Sequence, residues 1–223
     1  MDRKLFLHAI TKVVCGIILI GLLIFVPAGS FMYWQGWLMM GILFVPMIVA
    51  GFVMMKKNPN LLRKRLNAKE EQSEQKMVIM LSGIMFLTAF IVAGLNYRFS
   101  WILLPSVVVY IAAVIFLLGY GLYAEVLKEN EYLSRTVEVQ ENQKVIDTGL
   151  YGIVRHPMYM CTFLMFLSMP LVLGSVISFF IMLVYIPIIA KRIKNEEKVL
   201  EEGLEGYSDY KKRVRFKVIP FIW

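Results

Sequence analysis

Residues 157–190 read PMYMCTFLMFLSMPLVLGSVISFFIMLVYIPIIA, 34 positions without one charged side chain. A bilayer core of ~30 Å takes ~20 apolar residues for each helical pass. Two passes and a turn would ordinarily need more than this stretch supplies. Pro170 and the run Leu171 to Ser175 (LVLGS) mark a turn at its middle, so it predicts a tight helical hairpin with both ends at one face. The flanks are polar: GLYGIVRHPMY over Gly149–Tyr159, and RIKNEEKVLEEGLEGYSDYKKRVR over Arg192–Arg215. Such a hairpin brings His156 and Tyr159 against Arg192 and Glu196, and one site at a membrane surface is expected.

Working outward, further uncharged runs appear. Val13–Met55 is 43 residues, broken by the turn-like Pro27-Ala28-Gly29-Ser30; Met77–Tyr97 is 21 and Phe99–Ala124 is 26. With 59% hydrophobic residues and a mean hydropathy of +0.67, the chain reads as an all-α membrane protein of about six transmembrane helices. Residues 1–123 form four spans with a basic loop at 56–76. Residues 124–223 are expected to hold the short hairpin, a cytoplasmic C-terminal helix and any catalytic region. Little chain is left for a soluble domain, so any chemistry must be built from helix ends and loops.

The net charge of +8 is uneven. Lys56–Lys76 holds seven basic residues, Lys191–Trp223 nine and Ala124–Arg155 four, while Arg3, Lys4 and Lys12 precede or begin the first helix. The turns near Pro27 and Gly174 carry no Lys or Arg, and that at Tyr97–Ser100 only Arg98. Six spans put every basic segment on one side, so the positive-inside rule predicts cytoplasmic termini and motifs. The basicity is explained by topology and contact with anionic lipid headgroups, and no nucleic-acid partner is expected. The first apolar run is read as a retained helix rather than a signal peptide. Cys15 and Cys161 lie in apolar segments suited to burial, which does not suggest a disulfide framework. Two His and two Cys offer no zinc or haem spacing, so no metal is expected.

Local signals fill in the rest. Tyr33, Trp34 and Trp37, and later Trp101, suit an interfacial aromatic belt. Asn58-Pro59-Asn60 is a helix breaker, and LLRKRLNAKEEQSEQK after it suggests a helix lying along the interface. Thr136–Val139 and Lys144–Asp147 alternate in character around Gln140–Gln143 and predict a small β-hairpin. A charged helix is expected from about Arg192 to Glu202, ended by Gly203 and Gly206, and Ile219–Trp223 is expected to return to the membrane.

Gly119-Tyr120-Gly121 lacks the third glycine and preceding strand of a dinucleotide cradle. The chemistry-bearing residues are Arg155-His156-Pro157-x-Tyr159 and Arg192-x-x-x-Glu196-Glu197. Each has an ordinary explanation: Arg155 as a positive-inside anchor, Pro157 in a first helical turn, Tyr159 as a belt aromatic, and Arg192 with Glu196 as a solvated i,i+4 pair.

Together they resemble the isoprenylcysteine carboxyl methyltransferase family, within a broader group of small membrane methyltransferases that includes phospholipid methyltransferases. The resemblance covers about Thr136 to Pro220: Gly149-x-Tyr151-x-x-x-Arg155-His156-Pro157-x-Tyr159, then Arg192-x-x-x-Glu196-Glu197-x-x-Leu200, then Tyr207-x-x-Tyr210-x-x-Arg213-Val214 and Ile219-Pro220. It implies S-adenosylmethionine contacts from Gln143, Lys144, Val145, Ile146, Tyr151, His156, Pro157, Met158, Tyr159 and Glu196. It implies that Arg192 faces the carboxylate of a lipophilic acceptor, such as an isoprenylated cysteine, entering from the bilayer. Cys161 stands where the family usually has Gly, and a bulkier group there is expected to narrow the cleft. Alternative acceptors are a phospholipid amine or a small thiol; an amine would need a base. A membrane sterol reductase, whose C-terminal region resembles Arg192–Pro220, is a second class, but no basic cluster beyond Arg213 and Arg215 awaits a 2′-phosphate of NADPH. A non-catalytic scaffold leaves both motifs unexplained.

Overall fold

The computed structural model describes residues 3–66, 73–134 and 136–223. Its helices are α1 (Arg3–Ala28), α2 (Trp34–Lys57), α3 (Pro59–Leu66), α4 (Ser73–Phe99), α5 (Ser106–Glu129), α6 (Pro157–Val172), α7 (Val176–Met182), α8 (Tyr185–Gly203) and α9 (Tyr207–Arg213), with a 3-10 turn at Gly149–Gly152. Among the described residues, five stretches are long and apolar enough to cross a membrane: Arg3–Ala28, Trp34–Lys57, Gln75–Phe99, Ser106–Glu129 and Val176–Gly203. In lipid every backbone donor and acceptor must be satisfied within the segment, and helices do this. The apolar residues of α1 point outward as well as inward: Val14, Ile18, Leu22 and Val26, four apart, are all exposed. A helix facing hydrocarbon has no need of a polar face.

The sixth apolar helix, α6, has only 16 residues, about 24 Å at 1.5 Å per residue. It nonetheless reaches the far end of the bundle. The turn that follows has Gly174 at φ +72°, and the Ser175 hydroxyl accepts from the Ser178 N–H as the cap of α7. There Ser175 bridges to Leu103 in front of α5, and Asn96 Nδ2 at the end of α4 donates to Gly174 O at 3.4 Å and Ile102 O at 3.0 Å. The predicted hairpin with a turn at Leu171–Ser175 is thus present. Its second arm is broken at 183–184, four residues before Pro187, which has no N–H for the Leu183 carbonyl. From Tyr185 the arm continues without interruption as α8, so the predicted charged helix is the polar end of the hairpin itself.

Close helix approach depends on glycine. A Cβ on Gly94 would lie 2.7 Å from the Ile24 carbonyl oxygen and 2.9 Å from Pro27 Cβ, and one on Gly119 would lie 2.7 Å from Met165 Cγ and 3.2 Å from the Cys161 carbonyl oxygen. Gly94 therefore lets α4 cross α1, and Gly119 lets α5 lie against α6.

Several sequence expectations are corrected. Residues 136–147 form a turn without strands: the Gln140 N–H donates to Gln143 Oε1 at 2.8 Å, and Val139 and Val145, with Leu200, pack on the cluster of Leu204, Tyr207, Tyr210 and Val214. Their alternating character serves contact with the C-terminal helices rather than with each other. Tyr33 is fully buried, stacks on Tyr97 with centroids 4.3 Å apart and donates to the Leu173 carbonyl, so it is no belt residue; Trp34, Trp37 and Trp101 are exposed. Cys15 is exposed and Cys161 buried. In the segment after α2, Asn58 Oδ1 accepts from the Leu61 N–H and starts α3, which buries Leu61 and Leu62; of the rest of the expected interfacial helix, 67–72 lies outside the described residues and 73–76 instead begins α4.

Gly94→Ala should force α1 from α4 and lower the thermal midpoint in detergent, a loss of about 1–3 kcal/mol. Gly83→Ala, where an added Cβ meets nothing within 4 Å, should show no loss.

Candidate functional site

The site starts from an unusual charge cluster. Arg155, just before α6, and Glu197, on α8, are both buried, and Arg155 Nε donates to Glu197 Oε1 at 2.8 Å. The same guanidinium donates through Nη1 to the carbonyls of Val214 (2.7 Å) and Arg215 (2.8 Å). His156 Nε2 lies 3.3 Å from Glu197 Oε1, and Lys211 and Lys217 each bring an ammonium to 3.8 Å from Oε2. The backbone N–H groups of Arg155 and His156 donate to Phe216 O (2.9 Å) and Lys217 O (2.8 Å). Pro157 follows as the first residue of α6, where its missing N–H costs nothing. Three chain segments are thereby tied together at the polar end of the hairpin.

Glu196, one residue from Glu197 and ~100° around the helix, has a different environment. Tyr159 Oη donates to Glu196 Oε2 at 2.6 Å and accepts from Arg192 Nε at 2.8 Å, while His156 Nδ1 lies 3.8 Å from Glu196 Oε1. Arg192 Nη1 also donates to Gln75 Oε1 of α4 at 3.0 Å. Arg192 and Glu196 are therefore joined through a tyrosine hydroxyl from the other arm of the hairpin, which distinguishes them from an ordinary solvated pair.

These groups border one open cleft with an empty volume, mouth included, of about 850 Å³. Gln143, Lys144, Val145, Ile146, Tyr151, His156, Met158, Tyr159, Arg192 and Glu196 line it. Pro157 does not; its role is to start α6. Cys161 does not line it either: it is buried against Val126 and Tyr151 beneath the cleft wall, so its bulk meets α5 packing and not the cleft. Sequence reasoning assigned no role to Asn130, Tyr132, Ser134 or Glu138 on one wall, nor to Leu200, Leu204, Tyr207 and Tyr210 on the other. The progression 192, 196, 200 at intervals of four marks a single face of α8 and points to Leu200. The Asn130 side runs through irregular chain without a comparable signal.

The cleft tyrosines brace one another. Tyr151 Oη accepts from Asn130 Nδ2 at 2.8 Å, and Tyr210 Oη donates to the Tyr151 carbonyl at 2.8 Å. Burial raises the hydroxyl pKa values of Tyr151 and Tyr210 above the ordinary phenol range, so both stay neutral.

Residues 109–202 match the model of the isoprenylcysteine carboxyl methyltransferase family, which bears out the resemblance read from the motifs. The match runs from α5 almost to the end of α8 and so includes Arg155–Tyr159, Arg192 and Glu196. Among curated proteins, the Delta(14)-sterol reductase of Mus musculus is 26% identical over 91 residues, 40% of this chain and 22% of that protein. The chain thus aligns with only about a fifth of that relative's length.

Removing one partner of a buried ion pair leaves an uncompensated charge, at a cost of about 3–5 kcal/mol. Glu197→Gln should accordingly lower the thermal midpoint sharply. Glu202→Gln, which breaks the exposed 4.0 Å pair with Lys198, should leave it unchanged.

Proposed function

We propose that this chain, which carries a region of the isoprenylcysteine carboxyl methyltransferase family, is an integral membrane, S-adenosylmethionine-dependent methyltransferase that esterifies the carboxylate of a lipophilic acceptor, with isoprenylated cysteine the leading acceptor class. The observation that carries this reading is the Arg192–Tyr159–Glu196 arrangement in a cleft at the end of apolar helices.

The residues present fit such a cofactor. It holds no phosphate, and the cleft is bordered by a carboxylate and aromatic rings instead of a glycine cradle. Glu196 suits an ammonium or ribose hydroxyls, and the His156 and Tyr159 rings, 5.8 Å apart between centroids, suit a cation or a base. When bound, S-adenosylmethionine supplies a methyl group on a positively charged sulfur, ready for a nucleophile that needs no activation.

An α-carboxyl has a pKa of ~3.3–3.7 and is ionised at neutral pH, so no general base is required. What the chain must contribute is orientation and exclusion of water. Arg192 presents a planar fork matched to a carboxylate, and it is held from two sides by Tyr159 and Gln75. Its position within α8, where the helix passes from apolar to charged residues, suits an acceptor whose chain enters from the bilayer. The one-sided distribution of basic residues supports cytoplasmic termini and a cytoplasmic cleft, with anionic lipid headgroups as further partners.

The sterol-reductase match favours a second reading, NADPH-dependent reduction. Against it stands the commitment of Arg155 to Glu197 and two carbonyls, which takes this cleft cation away from a 2′-phosphate.

The test supplies labelled S-adenosylmethionine with a farnesylated cysteine derivative, a phosphatidylethanolamine or a small thiol. A base-labile methyl ester is expected. Arg192→Lys should lower its formation strongly with little change in cofactor affinity, and Glu196→Gln should weaken cofactor binding roughly tenfold to a hundredfold. A base-stable product or full activity of Arg192→Lys would defeat the carboxyl reading, and NADPH oxidation without methyl transfer would favour the reductase. For orientation, Ser208→Cys in a Cys15→Ser background should react with an impermeant reagent from the cytoplasmic side; labelling from the opposite side would overturn the topology.

A further inference from the structure

Tyr207 lines the cleft and is only 4% exposed, yet its hydroxyl is buried without a hydrogen-bond partner among the described residues. The other cleft tyrosines differ. Tyr132 donates to Asn142 O at 3.4 Å, Tyr151 accepts from Asn130, Tyr159 bonds Glu196 and Arg192, and Tyr210 donates to Tyr151 O. Folded proteins rarely leave a buried hydroxyl unpaired, because its desolvation is then uncompensated. A buried tyrosine hydroxyl with no partner from the described residues points to a partner that arrives from outside the chain.

The surroundings narrow the partner's chemistry. Tyr207 packs with Leu204 and Tyr210, and Val145 and Leu200 complete an apolar wall. Leu200 lies eight residues beyond Arg192 on the same face of α8, about 12 Å along the helix. The cleft therefore has polar groups at Arg192, Tyr159 and Glu196 and an apolar wall at Val145, Leu200 and Leu204, and Tyr207 packs on that wall within electrostatic reach of Glu196 and Glu197. The ligand portion that suits this wall is planar and apolar with a hydrogen-bond acceptor on its edge, which describes the purine of an adenosyl group.

We infer that Tyr207 is a ligand-binding residue whose hydroxyl donates to a ring nitrogen of the cofactor's adenine, held between Val145, Leu200 and Leu204. The inference rests on the S-adenosylmethionine reading of the cleft. Burial, and then the nearby carboxylates of Glu197 and Glu196, push the Tyr207 pKa above the ordinary phenol range, so the group remains protonated and able to donate.

The experiment measures S-adenosylhomocysteine binding to the purified full chain by calorimetry, alongside thermal midpoints without ligand. Tyr207→Phe should bind about three- to tenfold more weakly. Its ligand-free midpoint should be unchanged or higher, because the substitution deletes an unpaired buried oxygen. A purely structural tyrosine would show the reverse: unchanged affinity, which overturns the inference. Should Tyr207→Phe fail to fold, the 1-, 3- and 7-deaza analogues of S-adenosylhomocysteine address the wild-type chain directly. One of them should lose affinity, and equal binding of all three with the parent compound overturns the inference. Failure of the wild type to bind S-adenosylhomocysteine at all would instead defeat the underlying reading of the cleft.

Discussion

The buried contact between Arg155 and Glu197 sets the rest of the site. Two charges removed from water are tolerable only when their remaining hydrogen-bonding capacity is filled, and here it is. The guanidinium also holds the carbonyls of Val214 and Arg215, and the carboxylate also faces His156, Lys211 and Lys217. One contact thus joins the start of α6, the polar end of α8 and the C-terminal segment. It also fixes the rotation of α8 about its axis. With Glu197 turned inward, Glu196 and Arg192 must turn toward Tyr159 and the cleft.

Adjacent glutamates consequently do different work. Glu197 has a 6% exposed side chain and is surrounded by cations, whereas Glu196 has 24% exposure and a tyrosine hydroxyl as its close partner. The first is a structural lock, and the second remains available to a ligand. Tyr159 couples the two sides of the cleft, because its single hydroxyl both donates to Glu196 and accepts from Arg192. Gln75 adds a contact from α4, outside the family-matched residues, so the N-terminal helices contribute to holding Arg192 as well as to spanning the bilayer.

The apolar helices and the site meet through lengths. α6 has too few residues to match its neighbours, and its ends are reached by other means. At one end Tyr33 and Asn96 bind the turn carbonyls of Leu173 and Gly174; at the other, residues 155 and 156 pair with the C-terminal backbone. The polar cleft groups therefore sit where the hairpin emerges from its apolar environment.

The sequence by itself determined the membrane class, the hairpin and its turn, and the convergence of Tyr159, Arg192 and Glu196. These follow from uncharged run lengths, from a Pro and Gly at the midpoint, and from i,i+4 spacing, all of which are local properties. Only the tertiary structure decided which of two neighbouring glutamates is buried, because that depends on where Arg155 and the C-terminal segment lie. It likewise decided that residues 136–147 pack on α9 rather than pair as strands, since alternation tells that a segment has two faces but not what covers them. Tyr33 was drawn into the core by the distant carbonyl of Leu173, and the unpaired hydroxyl of Tyr207 is visible only once every neighbour is in place. Burial and hydrogen-bond satisfaction are properties of assembled surfaces, and no spacing along one chain segment encodes them.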